Sequence, residues 1–232
     1  MDQSLFHFIN ERWTHPVLDL FMAALSDSEI WRPLLIVTAL CIVIFGRFKG
    51  RAFLFCLLFS LLIAQQITNF LKSSIDRQRP KQAQTVRMVQ LQKARPKILT
   101  LFKKPTIRYS DRSDRKGSTA SFPSGHVTDN TVIAVCLTLF YRRRGWLYWF
   151  VTGAIGYSRI YLGAHWPSDV FATMFLAAGE TLVIIGALEL LWRQAAPKWM
   201  PGIYAVHPSL VVGQVSNLPS ENSQSGGSRH FP

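Results

Sequence analysis

Acidic residues and cysteines are both scarce in this chain of 232 residues. It has 13 Asp and Glu against 26 Lys and Arg, and charged residues of either sign make up only 17% of the sequence. The three cysteines, Cys41, Cys56 and Cys136, lie within apolar stretches without metal-ligand spacing, which predicts neither a zinc site nor a disulfide framework. The first residues lack a basic region followed by an apolar core and a small-residue cleavage site, so we expect no removed signal peptide.

Apolar residues account for 49% of the chain, and most of them are concentrated in long blocks. Ile30–Gly46, Ala52–Leu71 and Val170–Trp192 approach the roughly 20 residues that a helix needs to cross a hydrocarbon layer of about 30 Å. Two further blocks, Val127–Tyr141 and Trp146–Leu162, are shorter. We predict five membrane spans. The alternative is a soluble protein with buried helices, which is disfavoured because such helices usually keep a polar face.

The segments on either side of these blocks predict two further units. Residues 1–29 mix apolar and polar side chains at helical spacing and are interrupted by Pro16, which predicts an interfacial helix or helix pair. A sixth span in this segment would have to contain Asp19 and Asp27. Residues 30–200 then form the membrane-embedded domain, and residues 201–232, rich in Gly, Ser, Asn and Pro, are predicted to be a disordered tail. The predicted fold is an all-α membrane helical bundle of five to six spans.

One loop carries most of the positive charge. Between Lys72 and Gly125 there are 14 Lys and Arg against three acids. A basic loop beside a membrane attracts anionic headgroups, and since no nucleic-acid module is recognisable, we predict no nucleic-acid partner. Three short segments, Arg47–Arg51, Arg142–Arg144 and Arg193–Lys198, hold eight Lys and Arg and no acid, which is typical of a cytoplasmic face. The basic loop would then lie outside the cytoplasm.

Three short motifs fall where predicted spans end, all on the face of the basic loop. They are Lys72-x6-Arg79-Pro80, Pro123-Ser124-Gly125-His126 and Ser158-Arg159-x5-His165-x3-Asp169. Arginine binds phosphate oxygens in a two-pronged fork, and the free N–H groups at a helix N-terminus also favour an anion. The candidate phosphate ligands are therefore Lys72, Arg77, Arg79, Ser124, Gly125 and Arg159.

Two histidines and one aspartate complete the candidate site. His165 and Asp169 are four residues apart and can meet if the chain is helical there, so that the carboxylate fixes the orientation of the imidazole. His126 can give a proton to a departing oxygen. The alternative chemistry is metal-dependent, but metal sites for phosphoryl transfer usually need more carboxylates, and the cations would repel a divalent ion. We predict that the protein uses no metal and no cofactor.

Together the three motifs resemble the signatures of the type-2 phosphatidic acid phosphatase superfamily, the lipid phosphate phosphatases that are related to vanadium haloperoxidases. The resemblance covers roughly Leu5 to Trp192 and includes all three motifs in order. It implies that His165 is the nucleophile, that Asp169 is its partner and that His126 is the leaving-group acid, with no metal. The long basic segment of residues 81–122 departs from the pattern and leaves headgroup recognition open.

The resulting prediction is an integral membrane enzyme that removes phosphate from a lipid through a phosphohistidine. Three rivals remain. A phosphotransferase would pass the phosphate from the same phosphohistidine to a second lipid. A vanadate-dependent haloperoxidase would share the anion-binding groups, although the five spans argue against it. A lipid-binding protein without activity could keep the fold. Undecaprenyl diphosphate is the first candidate substrate, ahead of phosphatidylglycerol phosphate, phosphatidic acid and the phosphate of lipid A. We expect the bacterial inner membrane as the location, with the site facing the periplasm or the outside.

Overall fold

The computed structural model describes residues 2–115 and 120–211, and most of them are helical. The helices, in chain order, are α1 (Asp2–His7), α2 (Pro16–Ser26), α3 (Ser28–Phe45), α4 (Phe48–Ser74), α5 (Pro80–Ala83), α6 (Arg112–Arg115), α7 (Gly125–Tyr141), α8 (Arg143–Trp146), α9 (Tyr148–Tyr161), α10 (Pro167–Trp199) and α11 (Pro201–Val206). A π-helical turn, Phe8–Arg12, follows α1, and a 3-10 helix spans Lys97–Phe102. The predicted helical bundle is confirmed.

Three helices, α3, α4 and α10, are long and apolar enough to cross a membrane, with mean hydropathies of 1.8, 1.8 and 1.9. They correspond to the three long apolar blocks of the sequence. The two shorter blocks also form helices, but α7 has 17 residues and α9 has 14. The count of five spans is therefore not established by helix length and composition.

Helix α7 forms the centre of the bundle and packs against α4, α9 and α10. Its inward face is built from small and medium side chains, including Thr131, Val132, Ala134 and Cys136, which are all fully buried. Small residues let helices approach closely, which drives helix association where no hydrophobic effect acts between them. The outer faces of α3, α4 and α10 instead expose large apolar side chains to the surroundings, as a membrane requires.

The N-terminal segment folds over one end of this bundle. It consists of α1, the π-helical turn and α2. Helix α2 begins with Pro16 at its first position, where the backbone N–H that proline lacks would have no intrahelical hydrogen-bond partner. With 11 residues α2 falls short of the length of a membrane span, so a sixth span is not established. Asp19 of this helix is buried, and its carboxylate accepts hydrogen bonds from Arg87 Nη2 at 2.7 and 2.8 Å and from the Tyr161 hydroxyl at 2.6 Å.

The basic loop contains a β-hairpin, which the all-α prediction did not include. Strands β1 (Arg87–Gln90) and β2 (Thr106–Tyr109) pair antiparallel, with Arg87 opposite Tyr109 and Gln90 opposite Thr106. Val86 and Val89 are buried against the membrane-domain end, and the hairpin is tied down by Asn10, whose side chain exchanges hydrogen bonds with the backbone of Arg87. The prediction failed because four-residue strands leave almost no periodic signal.

The first part of the predicted tail is folded. After α11, Leu210 is buried against the bundle, its N–H donates to Glu189 Oε2 at 2.9 Å, and Trp192 Nε1 donates to the His207 carbonyl at 3.0 Å. The prediction of disorder is therefore wrong for residues 201–211. Residues 212–232, the rest of the predicted tail, lie outside the described residues.

Candidate active site

The three sequence motifs meet at the end of the bundle that carries the hairpin. Lys72 lies near the end of α4, His126 near the start of α7, and His165 in the turn between α9 and α10. The charges of Lys72, Arg79 and Arg159 all act on both imidazoles, which places these five side chains in one cluster. The three motifs therefore converge in the folded chain.

A phosphate-sized group of donors faces the start of α7. Ser124 is the N-cap residue of this helix, and its buried hydroxyl has no hydrogen-bond partner among the described residues; the same is true of Arg159 Nε. A Cβ at Gly125 would lie 3.7 Å from Lys72 Nζ, so the ammonium stands directly beside the helix N-terminus. Buried donors without partners are costly, and an anion bound here would satisfy both of them.

His165 is held as a neutral ring, and one of its two nitrogens has no hydrogen-bond partner among the described residues. Only 3% of the residue is exposed, and its Nδ1 lies 2.6 Å from the backbone carbonyl of Ser121. A carbonyl can only accept, so Nδ1 carries the proton and Nε2 keeps its lone pair. Burial, and then the charges of Arg159 and Arg79, hold the pKa of this imidazole well below its ordinary value of 6.5. A neutral imidazole with an available Nε2 is the form that can attack phosphorus.

Asp169 does not contact His165 directly, contrary to the predicted pairing. Its Oδ2 accepts from the Ser121 hydroxyl at 2.5 Å and from the backbone N–H of Trp166 at 3.2 Å. Ser121 therefore stands between them, with its hydroxyl on the carboxylate and its carbonyl on the imidazole. No sequence pattern marks this residue, because Ser121 orients His165 through a backbone atom, which any residue type possesses.

Arg77 lies on the far side of Asp169 rather than among the phosphate ligands where it was predicted. Its Nη1 donates to Asp169 Oδ1 at 2.5 Å, and its Nη2 donates to Asp2 Oδ2 at 2.8 Å. Both prongs of the guanidinium are thus used by carboxylates. The arginine neutralises a buried carboxylate whose side chain is 0% exposed, while its own side chain remains 39% exposed.

Asp2 is a second residue that sequence reasoning missed. Its Oδ1 accepts from the backbone N–H of Ser168 at 2.9 Å, and its Oδ2 accepts from the Ser168 hydroxyl at 2.6 Å. Burial by itself would raise the pKa of Asp2, but the bonds from Ser168 and Arg77 outweigh it and lower that pKa. Helix α1 is in this way fastened to the first turn of α10, next to Asp169.

His126 lies in the wall of a cleft of about 630 Å³ that leads away from the cluster. The backbone carbonyl of Ser26 accepts a hydrogen bond from its ring, and Arg159 Nη1 donates to the Ser26 hydroxyl. The far walls of the cleft are formed by the junction of α2 with α3 and by the hairpin, through Gln90 and Lys93. A leaving group protonated by His126 would occupy this space.

Within residues 2–115 and 120–211, no three or more His, Cys, Asp or Glu side chains are placed to hold a metal ion. The absence of a metal from the reaction stays a prediction.

The chain is similar to known proteins. The PAP2 superfamily model matches residues 53–193. A lipid A 4'-phosphatase of Porphyromonas gingivalis is 27% identical over 203 residues, covering 85% of this chain and 75% of that protein. The undecaprenyl-diphosphatase BcrC of Bacillus subtilis is 36% identical over 104 residues, covering 45% of this chain; the chain thus spans about half, 51%, of that relative. The crystal structure of Aquifex aeolicus LpxE superposes with a TM-score of 0.54 at 24% identity, covering 79% of this chain and 94% of that one.

Proposed function

Since the chain belongs to the PAP2 superfamily and is similar to a lipid A 4'-phosphatase and an undecaprenyl-diphosphatase, we propose that it is a metal-independent lipid phosphatase that uses His165 as its nucleophile. One observation carries the proposal: His165 is buried as a neutral imidazole with Nε2 free, among three cations and a helix N-terminus. Nucleophile, proton donor and anion-binding groups are the three elements that phosphoryl transfer requires.

In the first step, His165 Nε2 attacks the phosphorus of the lipid phosphate, and the bond from phosphorus to the leaving oxygen breaks. The negative charge of the bound phosphate offsets the neighbouring cations and favours a proton on His126, which gives that proton to the leaving oxygen. The cationic cluster stabilises charge on the three remaining oxygens. The phosphorylated ring becomes positively charged. The Ser121 carbonyl, backed by the Asp169 carboxylate, stabilises this charge at Nδ1.

In the second step, water attacks the phosphorus and the P–N bond breaks. His126, now neutral, takes one proton from the water. Phosphate leaves, and Nε2 of His165 regains its lone pair. The sum is a lipid phosphate plus water giving a lipid alcohol plus phosphate, or a lipid diphosphate plus water giving a lipid monophosphate plus phosphate, with both histidines returned to their starting state.

The membrane topology is a proposal of the same kind. Helix α7 packs against the long helices α4 and α10, and α9 packs against α7 and α10, so we place them as two further crossings and arrive at five. The basic segments Arg47–Arg51, Arg142–Arg144 and Arg193–Lys198 then face the cytoplasm. The active site faces the periplasm of a bacterial inner membrane.

Undecaprenyl diphosphate is the first candidate substrate, and the similarity to the undecaprenyl-diphosphatase BcrC supports it. Lipid A 4'-phosphate is the second candidate, favoured by two observations. The lipid A 4'-phosphatase matches 85% of this chain rather than 45%. The cleft beside His126 also offers charges of both signs, Lys93 and Asp27, which suits the hydroxyl groups of a sugar.

The test is phosphate release from these two lipids, phosphatidylglycerol phosphate and phosphatidic acid, by the purified protein in detergent with EDTA. His165→Ala removes the nucleophile, and His7→Ala, a half-exposed histidine of α1, is the matched control. Release by wild type and His7→Ala but not by His165→Ala supports the proposal, and the fastest substrate names the lipid. Activity that survives in His165→Ala refutes the nucleophile. Transfer to an added lipid acceptor in place of release would identify a phosphotransferase.

A further inference from the structure

A second cavity, an apolar groove of about 730 Å³, opens between α3, α4, α7 and α9. Its walls consist mainly of leucine and isoleucine side chains, with Thr38, Tyr141 and Tyr148 as the uncharged polar members. Arg144 is the single charged residue among those that line it. No lining residue is shared with the catalytic cleft, so the two cavities are separate.

The groove lies towards the other end of the bundle from the active site. On α4 its lining ends at Leu61, eleven residues before Lys72, which is about 16 Å along a helix axis. On α7 it runs from Ile133 to Tyr141, the latter about 22 Å from His126 by the same measure. The groove therefore reaches into the half of the membrane domain that ends at the basic segments Arg47–Arg51 and Arg142–Arg144.

Helix α3 forms one wall of the groove without closing it. None of the residues of α3 is buried, and among the long helices its principal partner is α4. Leu35, Ala39 and Ile42 line the groove from this helix, while Leu34 and Leu40 face outward. In a membrane an apolar space of this kind that is open to the side is filled by hydrocarbon, because no water is available to fill it.

The mouth of the groove is positively charged and lacks acidic partners. Arg142, Arg143 and Arg144 are exposed, and none of them forms an ion pair within the described ranges. Lys49 lies 5.1 Å from the ring centre of Tyr141, which itself lines the groove. Basic pockets between membrane helices attract the phosphate of anionic lipids, by about 1 kcal/mol for each Lys or Arg near the surface.

We propose that this groove binds one acyl chain of an anionic phospholipid from the leaflet opposite the catalytic cleft, with the lipid phosphate held by Arg144. The apolar walls take the chain, and the arginine at the mouth selects the charge of the headgroup. This site is distinct from the catalytic one, and its lipid is a ligand that is not hydrolysed. The bound chain braces α3, whose first residue, Ser28, lines the catalytic cleft.

The experiment measures lipid binding to the full chain carrying His165→Ala, so that turnover plays no part. The delipidated protein in detergent is titrated with phosphatidylglycerol or with phosphatidylcholine of the same chain length, and bound lipid is counted by native mass spectrometry. We expect one saturable phosphatidylglycerol site and at least fivefold weaker binding of phosphatidylcholine. Arg144→Gln should weaken phosphatidylglycerol about fivefold, whereas its matched neighbour Arg143→Gln should change it less than twofold.

A second pair of variants tests the walls. Ala39→Trp fills the groove, and Leu40→Trp places the same side chain on the outer face of α3. We expect saturable binding to disappear in the first and to persist in the second, with Ile133→Trp as the alternative filling variant if Ala39→Trp fails to fold. Equal binding of the two lipids, equal losses in the two arginine variants, or undiminished binding in the filled groove would each overturn the proposal. Because hydrolysis is never measured, these outcomes leave the catalytic proposal untouched.

Discussion

Replacing Arg77 with alanine distinguishes the two roles that this arginine could play. The structure pairs its Nη1 with Asp169 Oδ1 at 2.5 Å, so the change leaves a carboxylate with a fully buried side chain without its counter-charge. Breaking a buried ion pair costs about 3–5 kcal/mol. Here the arginine is 39% exposed, so water will replace part of the loss, and Asp169 keeps its bonds from Ser121 and Trp166. We therefore expect the activation free energy of the reaction to rise by about 1–2 kcal/mol, which corresponds to a fall in kcat of roughly 5- to 30-fold.

The assay is a double-mutant cycle on phosphate release with Arg77→Ala, Asp169→Asn and the two combined. If Arg77 acts by neutralising Asp169, it has little left to do once that residue is neutral, and the double variant should be no slower than Asp169→Asn. If Arg77 instead bound the substrate phosphate, the two losses would multiply. A multiplicative result would refute the positioning role.

Inhibition by inorganic phosphate supplies an independent reading. Arg77→Ala should leave the inhibition constant within about twofold, because the guanidinium does not face the anion-binding cluster. Arg159→Gln is the comparison variant. The buried Nε of Arg159 has no hydrogen-bond partner among the described residues, so it is available to bind phosphate. A larger weakening in Arg77→Ala than in Arg159→Gln would contradict the placement.

Three further outcomes are expected. Rapid quenching with labelled substrate should trap phosphate on the wild-type protein and none on His165→Ala; trapped label in that variant would place the nucleophile elsewhere. Asp19→Ala should lower the unfolding free energy by about 3 kcal/mol, because it strands buried Arg87, and an unchanged melting midpoint would show that the pair is not buried. When the pH is lowered from 7.5 to 5.5, the unfolding free energy of the wild type should fall by about 1.4 kcal/mol relative to that of His165→Asn. The pKa of His165 in the folded protein is lowered, so the unfolded chain takes up the proton first, near pH 6.5. If the stabilities of the two proteins instead changed in parallel with pH, the buried ring would be charged.

Features that depend on short stretches of chain could be predicted from the amino-acid sequence. Long apolar runs predicted α3, α4 and α10, because crossing a membrane demands length and continuous hydrophobicity. The three motifs identified His126 and His165 as candidates, because residue type and spacing within a few positions limit what chemistry a segment can perform. Even the meeting of the motifs followed from counting crossings.

Tertiary structure alone decided how His165 is oriented and how its surroundings are held. The bond from His165 to Ser121 joins residues 44 positions apart, that from Arg77 to Asp169 spans 92, and that from Ser168 to Asp2 spans 166. No local pattern encodes such contacts, and the first of them uses a backbone carbonyl that every residue carries. The predicted contact between His165 and Asp169 was wrong because Asp169 lies in the first turn of α10, where its carboxylate accepts the N–H of Trp166 and the hydroxyl of Ser121 instead.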